Sequence, residues 1–190
     1  MKFGVFFVSE TPDDDYKRAY DETLEQIEYA EHLGFDTVWL AEHHGSTYGS
    51  MPSGAVMAAA VAQRTTFIRI GLAVNILPFN NPVRMAEDYA MVDVLSNGRL
   101  DYGVGRGYQP DEFAMLGLGD RQETSREIFQ ESLEVITGLW THEQFSYSGK
   151  YYTLDHAELH PRPIQKPHPP VYVAAISPET FGLIAEKGYN

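Results

Sequence analysis

The sequence contains no cysteine, few basic residues and no long apolar run. Without cysteine there is no disulfide framework, no thiolate nucleophile and no thiolate metal ligand. Lys and Arg total 14 against 27 Asp and Glu, a formal net charge of -13. Nucleic acid and anionic membrane surfaces both need basic patches, so neither is expected as a partner. No apolar stretch approaches the roughly 20 residues that cross a bilayer. The opening MKFGVFFVSETPDDD meets acids too soon to read as a secretory signal. A cytoplasmic protein is the expectation these absences leave.

What is present suits a globular domain. The 190 residues are 43% hydrophobic, enough to bury a sizeable core. KFGVFFV reads as a short buried strand, and DDDYKRAYDETLEQIEYAEHLG as a helix with Tyr20, Leu24, Ile27, Ala30 and Leu33 along one stripe. FDTVWLA is a second strand and SGAVMAAAVAQR a small-residue helix. FIRIGLAVNIL is a third strand, followed by the helix NPVRMAEDYAMVDVLSNG, with Pro82 in its first turn and Asn97-Gly98 at its end. RLDYGVG is strand four. The helix ETSREIFQESLEVITGLW follows, with the stripe Phe129, Leu133, Ile136 and Trp140. PPVYVAA and SPETFGLIAEKG close a fifth strand–helix unit.

Strands separated by helices pair in parallel, because parallel neighbours need long crossovers. The pattern alone leaves a doubly wound sheet and a (β/α)₈ barrel both open. One interruption, at about 141–170, holds a hairpin, QFSYSGKYYTLD, with Ser148-Gly149 as its turn, and then the Pro-rich run HPRPIQKPHPP. No domain boundary is visible, so residues 1–190 read as one domain.

Three places carry chemistry. Glu42, His43 and His44 follow strand two at the end of DTVWLAEHH; an imidazole titrates near neutral pH and can move protons. His44 points away from His43 if the segment is extended, and reads as a hydrogen-bonded loop histidine. GVGRGYQ follows strand four but fails as a dinucleotide fingerprint, since Tyr108 stands where the third glycine belongs. Its glycines suit a close backbone approach to a ligand. ISPET opens the last helix, with Ser177 a good cap and Pro178 a good first residue. Glu42 and His43 with Asp155, His156 or His160 offer a metal set on paper, but adjacent histidines rarely share a metal face, so no metal is expected.

MKFGVFF, GFDTVWLAEHH, NNPVRMAEDYAMVDVLSNGRLDYGVGRG and PPVYVAAISPET together resemble the bacterial luciferase-like flavin monooxygenase family, in the family's order. The resemblance implies a TIM barrel. Such barrels take roughly 250 residues, so five units imply an incomplete barrel whose active face lies at the C-terminal ends of the strands. It implies His43 as the catalytic residue beside the flavin, with Glu42 orienting it or contacting the flavin environment. Arg106 would hold the flavin phosphate. Ala175, Ile176, Ser177 and Thr180 would receive that phosphate at the helix start, through free N–H groups and hydroxyls. Ala73 and Val74 would be joined by a cis peptide beside the flavin ring, with Asn75 next to it. The implied activity is oxygenation of a small organic substrate by reduced FMN and O₂ through a peroxyflavin. A separate flavin reductase and a homodimer through helices two and three are the implied partners. Two alternatives stand beside it: hydride transfer with a deazaflavin, and a non-catalytic flavin-binding protein or inactive fragment.

Overall fold

The computed structural model describes residues 1–190 apart from Pro12, Ile176 and Ser177, and leaves undescribed the side chains of Pro178, Glu179, Thr180 and Leu183. Six parallel strands form the sheet, five main ones and a two-residue β4 (Asn75–Ile76): the main strands are β1 (Gly4–Phe7), β2 (Thr37–Leu40), β3 (Arg69–Leu72), β5 (Leu100–Gly105) and β8 (Val171–Val173). They lie in chain order, with β2 against β1 and β3, and β5 against β3 and β8. A doubly wound sheet reverses its strand order at a switch point. No reversal occurs here, so the arrangement is an arc of a barrel wound in one direction.

Strand three of the sequence reading is two strands. The chain leaves β3 after Leu72 and rejoins β5 as β4 (Asn75–Ile76), which pairs with Val104 and Gly105. Gly103 makes this junction possible. A Cβ on it would sit 1.7 Å from the Leu72 carbonyl oxygen. The close approach expected of this glycine is therefore to β3 and not to a ligand.

The helices α1 (Tyr16–His32), α2 (Gly54–Arg64), α3 (Pro82–Leu95) and α5 (Ser125–Thr141) pack side by side over one face of the sheet. Side-chain oxygens of Asp15, Ser53 and Asn81 take up the first free N–H groups of α1, α2 and α3. The core lies between layers. Val38, Leu40, Ile70, Leu72, Leu100, Tyr102 and Val104 alternate toward the helices and meet Ile27, Val61, Tyr89 and Trp140. All four members of the α5 stripe are buried, whereas Leu33 of the α1 stripe is exposed.

The opposite sheet face carries Trp39, edge-on to Tyr172 at 5.0 Å, and a bidentate Arg69–Asp101 pair at 2.6 Å. At the N-terminal end of the sheet, the Glu31 carboxylate accepts the N–H groups of Thr66, Phe67 and Ile68 at 2.8, 2.7 and 2.9 Å.

The interruption is the expected antiparallel hairpin, β6 (Phe145–Ser148) with β7 (Thr153–Ala157). Its turn differs from the expectation: Ser148 still pairs with Thr153, so the connection is Gly149 to Tyr152, closed by Gly149 N–H on the Tyr152 carbonyl. Between β5 and α5 the sequence pattern assigns no element. That segment contains a short helix, α4 (Pro110–Met115), and a 3₁₀ turn at Gly119–Arg121. The last helix is α6 (Pro178–Lys187).

Candidate active site

The C-terminal ends of all five main strands open into one cavity of about 500 Å³. Phe6 comes from β1, Glu42 and His43 from the segment after β2, Ala73 and Val74 from the β3–β4 junction, Gly105 and Arg106 from the end of β5, and Val173 and Ala174 from the end of β8. The Ala73–Val74 peptide is cis, as expected. Gly105 leaves room for it: an added Cβ would meet the Val74 Cγ2 at 2.5 Å.

At one end of the cavity sits a buried acid–imidazole cluster. Glu42 is 5% exposed. Its Oε1 lies 3.2 Å from His44 Nε2, and its Oε2 accepts from Asn75 Nδ2 at 2.9 Å. Asn75 Oδ1 in turn accepts the Tyr102 hydroxyl at 2.9 Å. Burial pushes the Tyr102 and Tyr89 phenols well above their ordinary pKa, and the Glu42 charge adds to it. Tyr102 therefore stays a hydroxyl donor at any working pH.

Of the two roles expected for Glu42, orienting His43 is not the one it takes, although it does line the cavity. Its oxygens are turned to His44 and Asn75, because successive side chains after a strand diverge. The partner of His43 is Glu112. Its Oε1 lies 3.1 Å from His43 Nδ1 and also accepts the His44 backbone N–H at 3.1 Å. Glu112 is 4% exposed and sits in the first turn of α4. Sequence reasoning misses it, since no helix is assigned at α4 from the pattern. The signal was present in QPDEF, where a proline and two acids mark a helix start. Asn75, expected beside the flavin, stands behind the cavity wall with both ends of its amide already engaged.

The other part of the cavity is basic. Arg106 donates from Nη1 to Ser125 Oγ at 3.3 Å, at the start of α5. Arg126, Phe129 and Gln130 of the same helix line the wall. Among the described residues neither Arg106 nor Arg126 forms an ion pair, in a chain with 27 acids. Arg126 was not anticipated; its position beside Phe129, on the edge of an apolar stripe, was the available sign. Ala175 follows Ala174 directly after β8, and Thr180 lies in the first turn of α6. Ile176 and Ser177 fall outside the described residues. No group of three or more potential metal-binding side chains occurs among the described residues. No described helix is long and apolar enough to cross a membrane.

Residues 1–190 match the family described as luciferase-like monooxygenase. The oxygenase component of the flavin-dependent trigonelline monooxygenase of Acinetobacter baylyi is 30% identical over 100% of this chain and 53% of its own. An F420-dependent glucose-6-phosphate dehydrogenase of Amycolatopsis mediterranei is 36% identical over 80% of this chain and 47% of its own. The crystal structure of monooxygenase RslO1 from Streptomyces bottropensis superimposes with a TM-score of 0.94 at 32% identity, covering 100% of this chain and 58% of that one. The chain thus spans about half the length of the curated relatives it matches.

Proposed function

The chain belongs to the luciferase-like monooxygenase family, and from that premise we propose that its cavity binds reduced FMN for oxygenation of a small organic substrate by O₂. The observation that carries this reading is the pair of guanidiniums, Arg106 and Arg126, facing a cavity with no carboxylate partner among the described residues. A forked guanidinium matches a phosphate, and two of them offset its charge of about -1.5 to -2. The start of α6 would add its free N–H groups.

The remaining walls fit the rest of the group. Phe6, Val74, Ile76, Phe129 and Val173 give apolar surface for a flavin ring, and the cavity has the size of a small-molecule site. Reduced flavin, when bound, would supply the electrons that allow O₂ to deliver one oxygen atom to the substrate. His43 would hold or move a proton at the imidazole edge facing the ring. The Glu112 carboxylate would hold that imidazole through Nδ1, leaving Nε2 to exchange protons. The apolar walls would keep bulk water from the reacting atoms.

A separate reductase as the source of reduced flavin is part of the proposal, and the oxygenase-component relative favours it. So are a cytoplasmic location and a homodimer. Exposed Val56 on α2 and Met91, Val94 and Leu95 on α3 would be covered by a second copy. A second reading, hydride transfer with a deazaflavin, is favoured by the F420-dependent relative. Titration of the chain with FMN, followed by flavin fluorescence, tests the binding step. Oxygen consumption after photoreduction of FMN, with and without the chain, separates the readings. A chain that binds F420 but leaves FMN free would overturn the leading one.

A further inference from the structure

His43 has two neighbours at the same ring nitrogen. Glu112 Oε1 lies 3.1 Å from Nδ1, and Gln109 Nε2 lies 3.4 Å from it. A carboxylate accepts only, and an amide nitrogen donates only. The two therefore ask opposite things of Nδ1. With the proton on Nδ1, the imidazole donates to Glu112, and the Gln109 amide has no acceptor there. With Nδ1 bare, Gln109 donates to it, and Nε2 carries the proton.

Both neighbours are held in place by their own element. Gln109 stands at the N-cap position of α4, with its side chain making no capping bond, and Glu112 lies in the first turn, so they meet the ring from one short helix. Glu112 Oε1 is further anchored by the His44 backbone N–H at 3.1 Å. The ring itself is boxed: Tyr48 lies 5.9 Å away, centroid to centroid, and the His43 side chain is 20% exposed. The other charged groups lining the cavity beside it are Glu42, Arg106 and Arg126.

The geometry points to Gln109 as a positioning residue that keeps the two neutral tautomers of His43 close in energy. Glu112 alone would lock the proton on Nδ1 and make Nε2 only a base. The competing amide makes the Nε2–H form accessible, so the nitrogen that α4 does not hold can present either a lone pair or a proton. This role rests on the reading of the cavity as a flavin site, in which His43 must both accept and return a proton.

The test uses the 190-residue chain, uniformly ¹⁵N-labelled and without flavin, at a pH well above the ordinary imidazole range. Bare and protonated ring nitrogens resonate far apart, so two-bond ¹H–¹⁵N correlations read the tautomer populations directly. The wild type should give intermediate shifts at both nitrogens of His43. Gln109→Leu should reduce the Nε2–H population about fivefold, the size one net hydrogen bond commands. Glu112→Gln should move the shifts the opposite way. Should Gln109→Leu fail to fold, Gln109→Glu replaces a donor by an acceptor and should give the same loss of the Nε2–H form. Unchanged His43 shifts in a folded Gln109 variant would overturn the proposal, as would a wild type already wholly in the Nδ1–H form. FMN titration of the same samples keeps the two ideas apart. A chain that shows the tautomer response and yet does not bind FMN leaves the Gln109-dependent tautomer balance standing and removes the functional reading.

Discussion

Arg106 is the residue on which the proposed anion site can be tested most cleanly. Its guanidinium touches Ser125 Oγ and otherwise faces the cavity, so Arg106→Ala removes a charge without orphaning a buried acid. Charge-assisted hydrogen bonds contribute about 1.5–3 kcal/mol each. FMN should bind roughly ten- to a hundredfold more weakly to the variant, while riboflavin, which lacks the phosphate, should bind as before. Fluorescence titration of both ligands decides it, and an equal loss for both would mean that Arg106 acts on the ring or on the fold. Tyr102→Phe probes the opposite end of the site. It leaves Asn75 Oδ1 buried without its donor, which should cost about 1–3 kcal/mol in urea unfolding. Residues of this kind differ in how far the sequence shows them. Glu42 and His43 stand out because ionisable groups directly follow an apolar strand. Glu112 does not, because its meaning depends on a contact 69 positions away from His43, and nothing local to QPDEF says which imidazole it will meet.

Elements were more legible than their junctions. The longer helices and the main strands were visible in the sequence, since periodicity and capping are local properties, while the six-residue α4 was too short to show a period. The split of the third strand was not. It arises where the Leu72 carbonyl approaches Gly103 on the neighbouring strand, a tertiary event that no window of residues contains. That contact makes a sharp prediction. Gly103→Ala would force a methyl into a backbone carbonyl, which no side-chain rearrangement relieves. It should destabilise by about 1–3 kcal/mol or more, measured by denaturant titration, whereas an alanine at Gly119, where nothing lies within 4 Å, should be close to neutral. Glu31 ties two elements in a pH-dependent way. Burial raises its pKa, but the N–H groups of Ile68, Phe67 and Thr66 and the charge of Arg99 together outweigh that, and the net value falls below the ordinary 4.5. A carboxylate with a depressed folded pKa adds stability above its unfolded pKa and loses it as pH falls through the folded value. Glu31→Gln should therefore be less stable than wild type by about 1–2 kcal/mol at pH 7, allowing for its partial exposure. The gap should close as the pH is taken below 4.5. A gap that persists in acid would mean that the amide contacts, and not the charge, set the effect.

At the scale of the whole molecule, charge and site oppose each other. The chain carries -13, yet the proposed ligand is an anion held by two arginines. The two fields act over different ranges. Near about 0.01 M salt the Debye length is about 30 Å, so an approaching phosphate feels the acidic surface as a whole. Near about 0.15 M it is about 8 Å, and only the groups at the cavity mouth matter. Contact between a guanidinium and a phosphate is far shorter than either length and is screened least. Raising salt should therefore remove long-range repulsion while leaving the local attraction largely in place. The association rate of FMN should rise about twofold or more between about 10 and 150 mM salt, opposite to the usual slowing when an anion meets a basic protein. Riboflavin, without the phosphate, should show a flat dependence. Stopped-flow quenching of flavin fluorescence measures both. An FMN association rate that falls with salt would place the arginine field, and not the net charge, in control of encounter, and would show that the acidic surface is turned away from the entry path.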